Sequence, residues 1–415
     1  MKVNKWTLGL AAVGLVSLPS VMQAEEKAST MMTALSATTI SGYVNTSMEW
    51  NPGTGNAYVP GFAFNKGKQD GFNLDVVKLT IERPLDEAQW AAGYRVDLLF
   101  GPDANSLATS SSGIATSDFA IKQAYVAVRA PIGNGLDFKL GVWDTIIGYE
   151  TFDAGSNPNY TRSYGYTMEP TTHTGLLATY HVNNMIDLAA GIANSFGPTI
   201  NQRANPPKAE SYKTYMASVS FTAPESFGFA KGATLYGCII NGFNSAAIGG
   251  GQTAQQSYYI GSTVPTPITG LKLGASYDYA GVSHNNNATL GGLGVTAAPT
   301  VATWQDSAAG YLSFQASEKL SLHSRVEYFW QSKANVNLLS ATALPSKVLA
   351  FTETIQYDLW KNVLSRLEVR WDHAADGTTP YAGTPADVNG AGGPVFAAGS
   401  KKNSVLVAAN LIYKF

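Results

Sequence analysis

The sequence predicts an all-β fold, a transmembrane antiparallel β-barrel of about sixteen strands with short periplasmic turns and long extracellular loops. Three observations carry that expectation. Segments of about ten residues alternate apolar and polar side chains, the period of a strand with two unlike faces. Between them Gly, Pro, Asn and Asp gather, and short connections alternate with long ones. The last segment alternates up to an aromatic terminus, Phe415.

Residues 1–24 read as a signal peptide. Lys2 and Lys5 precede the apolar run Thr7–Leu18, Pro19 breaks it, and small residues lead to Ala24. That run is too short to cross a bilayer, which takes about 20 apolar residues. Residues 25–38 form a short polar periplasmic segment, and 39–415 the transmembrane barrel. The expected strands are Thr39–Trp50, Leu74–Arg83, Trp90–Phe100, Phe119–Ala130, Leu136–Asp144, Thr174–Val182, Met185–Asn194, Ser211–Ala223, Ala233–Gly242, Gln256–Val264, Leu271–Ala280, Gln305–Ala316, Lys319–Trp330, Lys347–Asp358, Asn362–Asp372 and Lys402–Phe415. Connections after strands of even rank are short, such as Asn183–Asn184 and Ser317–Glu318. Those after strands of odd rank are long, such as Asn51–Asn73, Thr145–His173 and His373–Lys401. Turns at one rim and loops at the other are a property of membrane barrels, and they put both termini at the periplasmic rim.

The two faces of each strand separate lipid from lumen. In Asn362–Asp372, Leu367, Val369 and Trp371 lie opposite Arg366, Glu368, Arg370 and Asp372. In Lys319–Trp330, Leu322, Val326 and Tyr328 lie opposite His323, Arg325 and Glu327. A charge facing lipid at mid-bilayer costs about 2–4 kcal/mol, so the charged faces point inward. Lys78, Arg95, Arg129, Arg325, Arg366, Glu368 and Arg370 are therefore expected on a wet lumen wall. Trp50, Phe100, Trp330 and Trp371 at the outer strand ends, with Trp90, Phe138, Tyr413 and Phe415 at the inner ends, form two aromatic belts. One strand fits less well. Glu353 shares a face with Phe351 and Ile355, which leaves a bulge or a protein-facing contact open.

Composition excludes several classes. The formal net charge is −2 and becomes more acidic once the two lysines of the signal are removed, which is no nucleic-acid footprint. The single cysteine, Cys238, allows no internal disulfide and reads as a small apolar side chain. His173, His181, His284, His323 and His373 show no HExxH spacing, and no GxSxG elbow or P-loop occurs. No metal, no cofactor and no catalytic residue is expected. His323 beside Arg325 and Glu327 keeps a barrel-embedded hydrolase open as an alternative. A non-conducting adhesion or scaffold barrel is another.

Residues 145–173 stand apart from the other long connections. They read TIIGYETFDAGSNPNYTRSYGYTMEPTTH, dense in tyrosine and mixed charge. A loop of this length is either a solvated hairpin or a constriction folded into the lumen; Tyr149, Tyr160, Tyr164 and Tyr166 favour a packed loop, and in a constriction the charges at the narrowest point set selectivity. Glu150, Asp153, Arg162 and Glu169 are the candidates to line it.

This loop and the strands before it resemble the β-barrel porins of the OmpL-like kind. The shared features are the KQAYV strand (Lys122–Val126), Gly148–Glu150, the N-Y-T-R-S run (Asn159–Ser163) and Glu169–Gly175. They fall within residues 71–194; beyond these, only the barrel pattern and the ending correspond. The ending, VAANLIYKF, is similar to the closing strand by which the barrel-insertion machinery recognises outer-membrane proteins. The resemblance implies an integral outer-membrane porin. The function expected is an aqueous channel for passive diffusion of small hydrophilic solutes or ions. Its partners would be outer-membrane lipid and, by resemblance to sixteen-stranded porins, two further copies in a homotrimer.

Overall fold

A computed structural model describes residues 38–52, 68, 70–86, 88, 90–106, 118–203, 212–243, 254–282, 288–290, 295–297, 302–332, 345–381, 385–388, 394–396 and 401–415. The expected signal peptide and the polar segment up to residue 37 lie outside the described residues.

Sixteen strands close one antiparallel barrel, each paired with its neighbour in sequence and the last with the first. They are β1 (Thr39–Trp50), β2 (Gly71–Arg83), β3 (Ala91–Phe100), β4 (Phe119–Ala130), β5 (Leu136–Asp144), β6 (Thr172–His181), β7 (Ile186–Ala193), β8 (Thr214–Thr222), β9 (Thr234–Phe243), β10 (Ala254–Pro265), β11 (Leu271–Val282), β12 (Thr303–Gln315), β13 (Leu320–Gln331), β14 (Lys347–Trp360), β15 (Val363–Ala374) and β16 (Asn403–Lys414). Every expected strand is present, with ends shifted by at most three residues. Closure leaves no free sheet edge, the condition for backbone to sit in hydrocarbon. The seam pairs Val44 with Tyr413 and Met48 with Ala409. It ends where Gly42 and Phe415 exchange two backbone hydrogen bonds of 3.0 Å.

The alternation sorts side chains as the sequence requires. On β15, Leu367 and Val369 are exposed outward, while Arg366, Glu368, Arg370 and Asp372 are buried inward. The barrel's ladders shift register at three places among the described residues: Leu359 is extra at the periplasmic end of β14, and two further bulges lie within β2 and β4. Asn45 pairs with Val76 and Thr46 with Leu74, so Asp75 is an extra residue on β2. Asp97 pairs with Gln123 and Leu98 with Ile121, so Lys122 is extra on β4. Each of the latter two turns one more charge away from lipid.

No bulge rescues Glu353. Its register is continuous, opposite Ser324 on one side and Val369 on the other. Its carboxylate sits on the outer face between exposed Phe351 and Ile355 and accepts a 2.8 Å hydrogen bond from the Ser324 hydroxyl.

Candidate functional site

Residues 145–171 leave β5, cross the lumen and return at β6. The root of this loop docks on an apolar sector of the inner wall. Trp143, Ile146 and Ile147 pack with Leu177, Ala189, Met216, Cys238, Ile240 and Tyr259 from β6–β10. The charged strand faces pointed to a wet lumen wall; this sector of the wall is apolar instead, built of aliphatic, small and aromatic side chains. Tyr236 donates its hydroxyl to the Ile146 carbonyl. Tyr149 then stacks on Tyr311 of β12 with centroids 4.0 Å apart.

The N-Y-T-R-S run fastens the middle of the loop. Asn159 donates to the Thr354 hydroxyl at 2.7 Å. The backbone N–H groups of Tyr160 and Thr161 donate to Glu368 at 2.6 and 2.9 Å, and the Thr161 hydroxyl adds a third bond at 2.6 Å. The Tyr160 hydroxyl reaches Glu49 at 2.9 Å. Arg162 turns back into its own loop and donates to the carbonyls of Thr151, Phe152 and Tyr160 at 3.0, 2.7 and 2.7 Å. Ser163 caps the short helix α1 (Tyr164–Met168) by accepting from the Tyr166 N–H.

The charged wall residues serve this loop. Arg325 donates to Glu150 at 2.8 Å, to Glu327 at 2.7 Å and to the Thr161 carbonyl at 2.8 Å. Arg370 holds Asp372 and the Arg162 carbonyl, and its guanidinium lies 5.2 Å over the Tyr164 ring. Arg366 donates to the carbonyls of Ala154 and Asn157. Lys78 pairs with Asp153 at 2.7 Å and with Asp97 at 3.3 Å. Burial would raise the Asp153 carboxyl, but the charges of Lys78 and Lys122 outweigh it and hold it well below the usual carboxylate range. Lys68, in the connection before β2, bridges Asp75 and Asp103 at 2.6 Å each, and together with Tyr160 and Arg162 these elements enclose a cavity of about 10 Å³.

Glu169 lies beneath the other end of the loop. Gly148 opposite it has φ +121, and a Cβ there would fall 2.3 Å from the Glu169 carboxylate. That explains a glycine on both steric and conformational grounds. Burial, then the charge of Asp278 on β11, pushes the Glu169 carboxyl well above its usual range.

The candidate residues thus divide in two. Glu150, Arg162 and Glu169, the candidates to line the constriction, are buried between loop and wall, and so are Arg325, Arg366, Glu368 and Arg370, which corrects the wet wall expected for those four. Lys78 is buried with them, 3% exposed. The far wall differs. Arg95 stays 25% exposed between Glu82 and Asp97, and Arg129, in a bidentate pair with Asp137, stays 19% exposed. Asp153, at 22%, is the one candidate of the loop that keeps contact with that space.

One histidine–serine contact and one serine–aspartate–histidine arrangement bear on chemistry. His323 Nδ1 lies 2.9 Å from Ser313 Oγ, and among the described residues no carboxylate contacts that imidazole. Ser220 donates to Asp187, not to His181, which itself holds the other Asp187 oxygen. Neither makes the chain of base and orienting group that activates a nucleophile.

With this geometry in view, a family model described as "Putative beta-barrel porin-2, OmpL-like" matches residues 37–415. The chain belongs to this family. The likeness extends from the loop and its flanking strands to the whole barrel, and it makes the protein an outer-membrane channel. No curated protein matches the sequence. Among solved structures, the anion-selective porin from Comamonas acidovorans is 11% identical, with TM-score 0.58 over 91% of this chain and 99% of that one. OmpT of Vibrio cholerae, folded in vitro, is 11% identical, with TM-score 0.55 over 94% and 100%. The outer-membrane channel DcaP of Acinetobacter baumannii is 12% identical, with TM-score 0.55 over 91% and 97%. At these identities the likeness is one of fold.

Proposed function

We propose that the barrel is a non-enzymatic porin that passes small hydrophilic solutes or ions by passive diffusion, and that residues 145–173 are its constriction. The observation that carries the reading is a charged loop hydrogen-bonded across the lumen of a sixteen-stranded channel. A barrel of that size without a loop leaves a wide aqueous lumen. In this reading Glu150, Arg162 and Glu169 frame the loop, and Lys78, Arg325, Arg366, Glu368 and Arg370 anchor it. Asp153, Arg95 and Arg129 border the solute path. Residues 1–24 direct export, residues 25–38 remain periplasmic, and the strand ending at Phe415 is read by the insertion machinery. Liposomes carrying the protein should swell in isotonic solutions of small sugars and more slowly as sugar size grows. Swelling no faster than in empty liposomes would overturn the reading.

Glu353 favours a protein-facing contact and with it a homotrimer. A carboxylate on the lipid face is unfavourable, and one serine does not satisfy it. A hydrolase rests only on the His323–Ser313 contact. Esterase activity abolished by Ser313→Ala would establish that rival.

A further inference from the structure

Two buried acids meet between the loop and the wall with no base beside them. Glu169 of the loop and Asp278 of β11 are 5% and 4% exposed and hydrogen-bond to one another. The charges that act most on this pair are its own and that of Glu150, all negative. Glu150 is itself held by Arg325 at 2.8 Å. Ionised carboxylates only accept hydrogen bonds, and two of them at close range repel. A proton or a cation therefore has to bridge the pair. The loop is shaped around it: a Cβ on Gly165 would fall 2.3 Å from the Asp278 carboxylate, as one on Gly148 would from Glu169. A second observation points to a cation. Asp278 Oδ1 is buried without a hydrogen-bond partner. Ser307 of β12 pairs directly with Asp278, so its side chain leaves the same face of the sheet. Ser307 is 1% exposed, and its hydroxyl too has no partner among the described residues. Ser257 of β10, opposite Ala280, repeats the pattern, 2% exposed with its hydroxyl unpartnered. Buried polar atoms are nearly always satisfied. A shared proton would serve the two acids and leave the hydroxyls orphaned, whereas an oxygen-coordinated ion draws on both.

We infer that Glu169, Asp278 and Ser307 form a divalent-cation site, suited to calcium, that ties the loop to the barrel wall. All three offer oxygen, the ligand of hard cations. Among the described residues no three His, Cys, Asp or Glu side chains group as metal ligands, so two carboxylates are completed by hydroxyl and water. Calcium accepts such an irregular shell of oxygens, where magnesium demands a near-ideal octahedron. The remaining exposure of Glu169 gives the ion its entry. The inference goes beyond the porin reading, because ion binding is measured without conductance. Bound to Glu169 and Asp278 together, the ion stabilises the docked loop alone. With a dissociation constant of about 10⁻³ M, as in weak extracellular calcium modules, about 10 mM calcium favours docking about tenfold.

The test is terbium luminescence of the full-length protein in detergent, stripped of metal and excited through its tyrosines. Tyr259 pairs with Asp278 and stands beside the site as a sensitiser. One terbium ion per chain should bind, and calcium should displace it at millimolar concentration. Asp278→Asn should abolish that binding. Hydrogen exchange of residues 164–168 should slow about tenfold in about 10 mM calcium in the wild type and stay unchanged by calcium in Asp278→Asn. Should the asparagine variant fail to fold, Ser307→Ala gives the same comparison: terbium binding weakened severalfold, with metal-free exchange as in the wild type. No terbium luminescence in the wild type, equal binding in either variant, or wild-type exchange indifferent to calcium overturns the inference and leaves the porin reading standing. Failure of that reading shows separately, as absent solute flux with terbium still bound.

Discussion

Replacing Glu368 by glutamine removes a charge that organises the centre of the loop and keeps the side chain's shape. The carboxylate accepts four hydrogen bonds: from the Tyr160 N–H and the Thr354 hydroxyl at one oxygen, and from the Thr161 N–H and hydroxyl at the other. Three of the four come from the loop. A glutamine amide offers one acceptor oxygen, so one backbone N–H is left facing an NH₂ group. A buried unsatisfied donor costs about 1–3 kcal/mol, and each remaining bond loses the extra strength that charge gave it, about 1 kcal/mol. Together they weaken loop docking by roughly 3–5 kcal/mol. The undocked population then rises by a factor on the order of 10²–10⁴. Single-channel recording should show transient excursions to a larger conductance, absent from the wild type, while the barrel's heat-modifiable mobility is unchanged. If current amplitude and noise match the wild type, Glu368 does not hold a constriction and the anchoring argument fails.

Three other outcomes follow from the same geometry. Burial and Asp278 raise the Glu169 carboxyl, so its protonated form favours the docked loop. That contribution is complete below the ordinary carboxyl range and is lost as pH rises through the raised value; channel noise should grow on the alkaline side, and Glu169→Gln should abolish the trend. Arg162→Met would leave three carbonyls of the loop without their donor, a loss of about 3 kcal/mol at roughly 1 kcal/mol per bond; limited proteolysis in detergent should cut between residues 150 and 165 in the variant alone. Glu353→Leu should reduce an oligomer to monomers on crosslinking; an unchanged oligomer, or a more stable barrel with no change in size, would show that this face meets lipid.

The fold was legible because lipid and lumen impose opposite demands on alternate residues, and the sequence obeys them over sixteen segments. Asn362–Asp372 shows it: the register observed for β15 keeps the expected faces. What escaped is local. Asp75 shares strand parity with lipid-facing Val77, so alternation alone places it outward; only the bulge opposite Asn45 turns it in. Lys122 is misread in the same way. The loop's position was anticipated from its length and tyrosines, but its partners were not. Glu368 and Thr161 are separated by 207 residues in the chain, and nothing local links them. The charges on β13 and β15 pointed to a wet wall because period two identifies the inward face and says nothing of what covers it.

The central claim is that residues 145–173 narrow a channel. Replacing residues 149–168 with a short glycine–serine linker and recording single channels tests it most directly. A stepwise conductance severalfold larger than that of the wild type, with weaker discrimination by ion size, is the result expected here. Steps of unchanged height would contradict it, since a loop that can be removed without widening the path does not lie across it.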